Sequence, residues 1–187
     1  TQLLSKRPEM FVPEFWPAYY SKAKGCKVWD LNENQFIDMS IMGIGANILG
    51  YADDDVDNAV KEVIGNGVSS TLNCPEEVEL AELLIKIHPW ADMVRFARSG
   101  GEACALAIRI ARASTERDKV LFSGYHGWHD WYLSANLANK KNLDTHLFPN
   151  LRSSGVPKNL KNTSIGFNFN DSKGLIKILN KFKNNIS

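Results

Sequence analysis

Cysteine is scarce in this chain: three residues among 187, Cys26, Cys74 and Cys104, set far apart. They form no C-x-x-C pair and no disulfide framework, which fits a reducing, cytoplasmic setting. Neither sign of charge is in excess, with 22 Lys and Arg against 21 Asp and Glu and a net charge of +1. A protein that binds nucleic acid mainly by electrostatics carries a marked basic excess or stripe, so no nucleic-acid partner is expected. No apolar run approaches the roughly 18–20 residues that a membrane helix needs, and no membrane partner is expected. The opening TQLLSKRPEM lacks the apolar core of a secretory signal, and its start at Thr1 rather than Met reads as trimming or a fragment. What is plentiful is ordinary. The chain is 44% hydrophobic and 23% charged, enough for a globular core without staples, and its length fits about one domain.

Aromatic residues and prolines crowd the first stretch, with Phe11, Phe15, Trp16, Tyr19 and Tyr20 among Pro8, Pro13 and Pro17. Prolines at this density disfavour a long helix, so the stretch reads as an arm lying against other structure. Residues 27–31 and 35–39 flank the polar turn Asn32-Glu33-Asn34, a hairpin signal. The glycines of residues 42–50 do not have the G-x-G-x-x-G spacing of a dinucleotide loop. Asp53 to Asp55 precede a helix with Val56, Ala59, Val60 and Val63 on one face. Pro75 opens a second helix with Leu80, Leu83, Leu84 and Ile87 aligned, and Pro89 ends it.

Residues 93–97 then read as a strand, Gly100-Gly101 as a turn, and 103–113 as a helix facing inward through Ala103, Leu106, Ala107 and Ile110. Residues 119–122 read as the next strand. Strand, helix and strand in so short a span make a βαβ unit and predict a parallel sheet. Residues 136–161 are polar and irregular, the pattern of a lid, a binding loop or a disordered connection. Residues 171–186 return to a helical period, with Leu175, Ile178, Leu179 and Phe182 on one face, and read as a surface helix covering a sheet.

Two turns can carry chemistry. Ser99-Gly100-Gly101-Glu102-Ala103 joins a predicted strand to a small-residue helix. The first turn of a helix offers unpaired N–H groups at its positive end, two glycines allow close approach, and Ser99 adds a hydroxyl. Together they form a cradle for a phosphate monoester, although a plain glycine turn with Ser99 as cap is the simpler reading of this turn alone. The second turn, Ser123 to Asp130, follows the next strand, and ligands of parallel sheets sit beyond the carboxyl ends of strands. There Tyr125 could stack on a flat ligand and His126 could orient it. His126, His129 and Asp130 also have metal-like spacing, but no further ligands complete a set, and no metal is expected. Ser123 is not in a G-x-S-x-G elbow, and Cys104 fits a packing role on its small-residue helix.

These residues stand in an order that resembles one family. DLNENQFID (30–38), Leu49-Gly50, Val94-Arg95-Phe96, SGGEA (99–103), Tyr125-His126-Gly127, Gly155-Val156-Pro157 and FNFND (167–171) resemble the class III aminotransferases from about Tyr19 to Leu179. These are pyridoxal-phosphate enzymes of fold type I, a group that includes glutamate-1-semialdehyde aminomutase. The resemblance implies an α/β chain holding part of that fold. Residues 1–67 would be the N-terminal arm, hairpin and first helix of the small domain. Residues 68–187 would begin the large, mainly parallel α/β/α domain.

It implies that Ser99, Gly100, Gly101 and Glu102 form the cofactor's phosphate turn, and that Tyr125 stacks on its pyridine ring beside His126 and Gly127. A Thr often stands in aminomutase-like members where this chain has Gly101, so one hydroxyl contact is lost. Residues 136–161 would correspond to a mobile lid. Ile44, Ser70 and Thr71 would lie toward the substrate. Ile44 stands where a Trp is expected and Asn73-Cys74 where Gly-Ala is expected, which sets glutamate semialdehyde in question as substrate.

The family's reaction also needs a Schiff-base lysine and an Asp paired with the pyridine nitrogen. No lysine here matches that position, so both are expected beyond Ser187, and no catalytic residue is assigned in this chain. The function expected is that of the N-terminal part of an aminotransferase or aminomutase acting on a small amino donor or acceptor, as a homodimer, with the chain alone inactive. The alternatives are a complete, non-catalytic phosphate-ligand or interaction module, and a decarboxylase or racemase on the same fold.

Overall fold

The computed structural model describes residues 6, 9, 12, 14–146 and 148–187. The chain divides into two compact units, Thr1–Leu80 and Ala81–Ser187.

In the first unit, strands β1 (Tyr20–Lys24), β2 (Lys27–Asp30) and β3 (Gln35–Ile37) form an antiparallel sheet in that order. The β2–β3 pair is the predicted hairpin, with Val28 opposite Phe36 and Trp29 opposite Gln35. Asp30 builds its turn: Oδ1 accepts from the backbone N–H groups of Asn32 and Asn34 at 2.9 Å, and Glu33 takes a positive φ of 65°. Carboxylate capping of a turn is the reason Asp recurs in such loops. Sequence reasoning missed β1, because YSKAK has no apolar alternation. Its ladder comes from pairing alone, Ala23 with Val28 and Lys24 with Lys27. In the arm, the ring of Trp16 meets Phe36 edge-on at 5.7 Å. Pro8, Phe11 and Pro13 lie outside the described residues.

Gly25 and Tyr51 exchange backbone hydrogen bonds of 2.8 and 2.9 Å. A Cβ on Gly50 would come 3.1 Å from the Gly25 Cα, so two bare backbones meet there. Beside them the Tyr51 hydroxyl donates to the buried Asp38 carboxylate at 2.6 Å, and burial together with that carboxylate pushes the Tyr51 phenol up to about 12. Helix α1 (Asp54–Gly65) starts as expected, with Asp53 accepting from the Val56 N–H at 3.2 Å.

Helix α2 (Pro75–Ile87) spans the division between the units. The second unit holds α3 (Gly100–Thr115), β4 (Val120–Phe122), the short α4 (Asp130–Leu133), β5 (Ser164–Gly166) and α5 (Ser172–Phe182). The parallel sheet is present, but its second strand is not the expected one. Residues 93–97 have no ladder partner among the described residues, whereas β4 pairs with β5, Val120 with Ser164 and Phe122 with Gly166. A strand exists only when its backbone is paired, and sequence pattern cannot name the partner.

Val120, Phe122, Trp131, Tyr132, Ala135 and Leu143 form the core, with Cys104, Ala105 and Ile108 of α3 packed against it. The expected inward face of α3 is therefore wrong. Leu106 and Ile110 stay largely exposed, at 41% and 56%. Apolar residues surround this helix, so its period could not choose between stripes. The predicted apolar faces of α1 and α2 are likewise open, with Val60 and Leu83 each 52% exposed.

Residues 136–161 are irregular but not free of the core. Leu143 is fully buried and Val156 nearly so. Asn136 donates to the Leu151 carbonyl at 2.7 Å and accepts from the Leu143 N–H at 3.0 Å, and Asn142 donates to the Ala135 carbonyl at 2.7 Å. Buried backbone outside a ladder needs partners, and these amides supply them. The asparagines that made the stretch look solvated are its internal braces.

Candidate functional site

Ser99 caps α3. Its backbone is extended (φ −144°, ψ 158°) and its Oγ accepts from the Glu102 N–H at 3.3 Å. The Glu102 carboxylate turns back and accepts from the Arg98 N–H at 2.9 Å. This is the reciprocal logic of a capping box, in which both side chains serve backbone donors at a helix start. Ser99 and Glu102 thus have local work to do, while the N–H groups of Gly100 and Gly101 come before the first intrahelical bond, from the Ala103 N–H to the Ser99 carbonyl at 3.0 Å. Such first-turn donors are free to face an anion.

The glycines decide how close an anion could come. A Cβ on Gly100 would meet nothing within 4 Å, so the approach to that residue is open. A Cβ on Gly101 would stand 3.3 Å from His129 Cε1, and one on Gly127 would stand 3.2 Å from the Gly101 Cα. Gly127 also has φ +99°, which a side chain strains to adopt. The SGGEA and YHG turns, read separately from sequence, therefore touch backbone to backbone at the carboxyl end of β4.

His126 is held at both ring nitrogens. Nε2 lies 2.9 Å from the Ser123 carbonyl, which can only accept, so Nε2 carries the proton. In the neutral ring Nδ1 is then an acceptor, facing the Cys104 thiol at 3.8 Å. Tyr125 is half-buried and meets Phe148 edge-on at 4.9 Å and Tyr132 at 5.7 Å. Behind it, the fully buried Tyr132 has its hydroxyl 3.2 Å from His146 Nδ1. Burial pushes the Tyr132 phenol up to about 12, and burial together with nearby His126 holds His146 below its ordinary value. Ser123 Oγ and Trp131 Nε1 are buried with no hydrogen-bond partner among the described residues.

Sequence reasoning missed Phe148, Tyr132 and His146 as supports, and it set Cys104 aside as packing. His129 entered only as a possible metal ligand. Instead its Nδ1 lies 3.2 Å from the Gly101 carbonyl. Among the described residues no group of three or more His, Cys, Asp or Glu side chains could hold a metal ion. Ile44, Ser70 and Thr71 belong to the first unit. Ile44 sits at φ +60° in a run from Met42 to Gly45 whose φ values are all positive, and it is half-exposed. Ser70 Oγ accepts from the Leu72 N–H at 3.1 Å in an exposed turn that also holds Thr71. No helix of the described residues is long and apolar enough to cross a membrane.

A parallel strand pair with the YHG turn beyond the carboxyl end of β4, and the SGGEA turn that opens a long helix set against it, defines part of an α/β protein of the kind whose ligands sit at strand ends. The chain belongs to the class-III aminotransferase family, whose sequence model matches residues 12–185. It is 37% identical over 178 residues to the glutamate-1-semialdehyde 2,1-aminomutase of Francisella philomiragia, covering 94% of this chain and 40% of that protein. The enzyme of the same name from Methanocaldococcus jannaschii is 39% identical over 176 residues, covering 92% and 39%. Among solved structures, the fold matches an omega-transaminase from Sphaerobacter thermophilus with a TM-score of 0.76 and 26% identity, over 93% of this chain and 43% of that one. A transaminase with PLP bound matches with a TM-score of 0.76 and 25% identity, over 99% and 46%. The chain thus spans about 40% of the length of the curated relatives it matches. Its fold is part of the fold of pyridoxal-phosphate transaminases.

Proposed function

We propose that this chain supplies the phosphate cradle and ring wall of a pyridoxal-phosphate-dependent aminotransferase or aminomutase that moves an amino group to or from a small carbonyl compound. The observation that carries the reading is the close approach of Gly101 and Gly127 at the start of α3, beside a Gly100 whose surroundings stay open. The residues fit the cofactor. Gly100 and Gly101 offer N–H donors and the positive helix end to a phosphate, the Ser99–Glu102 pair holds that helix start rigid, and Tyr125 offers a ring face steadied by Phe148 and Tyr132. When bound, the cofactor supplies the electron sink for the chemistry at the substrate's amine-bearing carbon. The protein's contribution here is binding and orientation, with His126 fixed in one tautomer by Ser123 and Cys104.

None of the chain's lysines is assigned the Schiff-base role. Borohydride treatment with pyridoxal phosphate is expected to label no single lysine stoichiometrically, and one specifically labelled lysine would overturn that assignment. The reading extends to a homodimer and, given three free cysteines, to a cytoplasmic setting. Its direct test is Gly100→Asp, which sets a carboxylate against the phosphate. Pyridoxal phosphate affinity, followed by absorbance, should fall at least about tenfold, a change of about 1.4 kcal/mol. Unchanged affinity would remove the cradle from α3.

A further inference from the structure

We propose that α2 and α5 form a self-association contact, in which α2 of one copy packs against α5 of a second copy of this chain; the proposal does not rest on the phosphate cradle. The net charge of +1 conceals a division. Residues 1–80 carry thirteen acidic and six basic side chains, whereas residues 81–187 carry eight acidic and sixteen basic ones. α2 and α5 repeat that division. α2 has four Glu and one Lys, and α5 with the adjoining Lys183 has four Lys and no acid.

Each helix leaves apolar residues uncovered beside its charges. On α2, Leu80, Leu83 and Ile87 recur at helical spacing and are exposed, and Glu76 and Glu79 stand one turn before Leu80 and Leu83. On α5, Leu175, Ile178 and Phe182 are part-buried while Ile176 and Leu179 stay exposed, with Lys173 and Lys183 one turn from them. Lys181 lies over the Phe182 ring at 5.2 Å. Among the described residues the one ion pair joins Lys24 to Asp54, so the Glu side chains of α2 and the Lys side chains of α5 have no acidic or basic partner in their own chain. α1 is as acidic as α2, but its acids stand across the helix from its valines, and one of them, Asp54, is the partner of Lys24.

Charge decides which helix meets which. α2 on α2 sets Glu against Glu and α5 on α5 sets Lys against Lys, and like charges across a contact oppose it. α2 on α5 covers the exposed leucines and isoleucines of both helices and brings Glu76, Glu79 and Glu82 to Lys173, Lys177 and Lys183. The two faces are unlike, so the contact is heterologous. One helix on another buries less than the roughly 1,200 Å² of a stable interface, so the contact is weak and depends on concentration and salt.

The test is sedimentation velocity of the 187-residue chain across a range of concentration, at about 0.05 M and about 0.5 M salt. Association should be present at low salt and about tenfold weaker at high salt, the effect of screening three exposed ion pairs. Two charge-reversed chains extend the test. Glu76→Lys, Glu79→Lys and Glu82→Lys together turn α2 basic, and Lys173→Glu, Lys177→Glu and Lys183→Glu together turn α5 acidic. Each reversed chain alone should associate about tenfold more weakly than the wild type, because its two helices then share one sign. An equal mixture of the two should regain the association, since each supplies the face that the other lacks. Association untouched by salt and by both reversals would overturn the proposal and leave the homodimer to another surface. A mixture no better than either reversed chain alone, or a monomer at low salt, would overturn it as well. The salt series on the wild-type chain decides the matter even if a reversed chain fails to fold.

Discussion

At the scale of single residues, the site depends on what is small or already occupied. Gly101 has no spare space, because His129 fills it, so Gly101→Ala must displace the imidazole by a few tenths of an ångström. Tyr125→Ala removes an aromatic contact of order 1 kcal/mol from the ring wall and should weaken cofactor retention several-fold, read as faster loss of the bound chromophore on dilution. Unchanged retention would deny Tyr125 the stacking role. Cys104 acts on His126, and its thiol makes the tautomer a measurable quantity. In Cys104→Ala, His126 should lose its second partner while Ser123 keeps the Nε2 proton, visible as a shift of the Nδ1 resonance with Nε2 unmoved. A silent Nδ1 would show that the 3.8 Å contact has no bonding character. None of these pairings was legible from sequence. Cys104 and His126 are 22 residues apart and Gly101 and His129 are 28 apart, separations at which no local period brings side chains together.

At the scale of elements, local signals were legible where one residue builds one feature. The Asp30 turn, the Asp53 cap and the Ser99 cap all follow from short polar side chains serving nearby N–H groups, and each stands where the sequence put it. Choices among equivalent partners were not legible, such as which stripe of α3 faces the core or which segment pairs with β4. The braced stretch around Leu143 was hidden for a related reason, since an asparagine looks the same whether it meets water or a buried carbonyl. Leu143→Ala should cost about 2–5 kcal/mol, read from denaturant unfolding, because it empties a fully buried position. A cost near zero would mean the stretch is not anchored.

His146, braced in the same stretch, sets a pH dependence. Burial holds it below its ordinary 6.5, so the unfolded chain binds more protons than the native chain between the lowered value and 6.5. Its stabilising contribution is present above 6.5 and is lost as pH falls through that window. Tyr132 acts at the other end, where stability falls as pH rises from 10 toward about 12. His146→Phe should flatten the acid-side loss in unfolding midpoints, and an identical slope would assign that loss to other groups.

At the scale of the whole molecule, four of the five helices, α1, α2, α3 and α5, bury no residue completely, and large apolar residues on each, such as Val60, Leu83, Ile110 and Ile176, stay exposed. Exposed apolar faces of this kind mark surfaces that pack against other protein. The proposed homodimer would cover part of such surface. Sedimentation velocity should show concentration-dependent association, and an ideal monomer across the accessible range would speak against that partner.

Family membership was legible from the order of short motifs, although length and composition alone had looked like an ordinary single domain. The proposed function stands or falls with the first turn of α3 receiving the cofactor's phosphate. The most direct measurement is the amide spectrum of the chain on addition of pyridoxal 5′-phosphate. The account predicts saturable shifts at Gly100, Gly101 and Gly127, with pyridoxal leaving Gly100 and Gly101 unmoved. Saturable binding that leaves those three amides in place would contradict it.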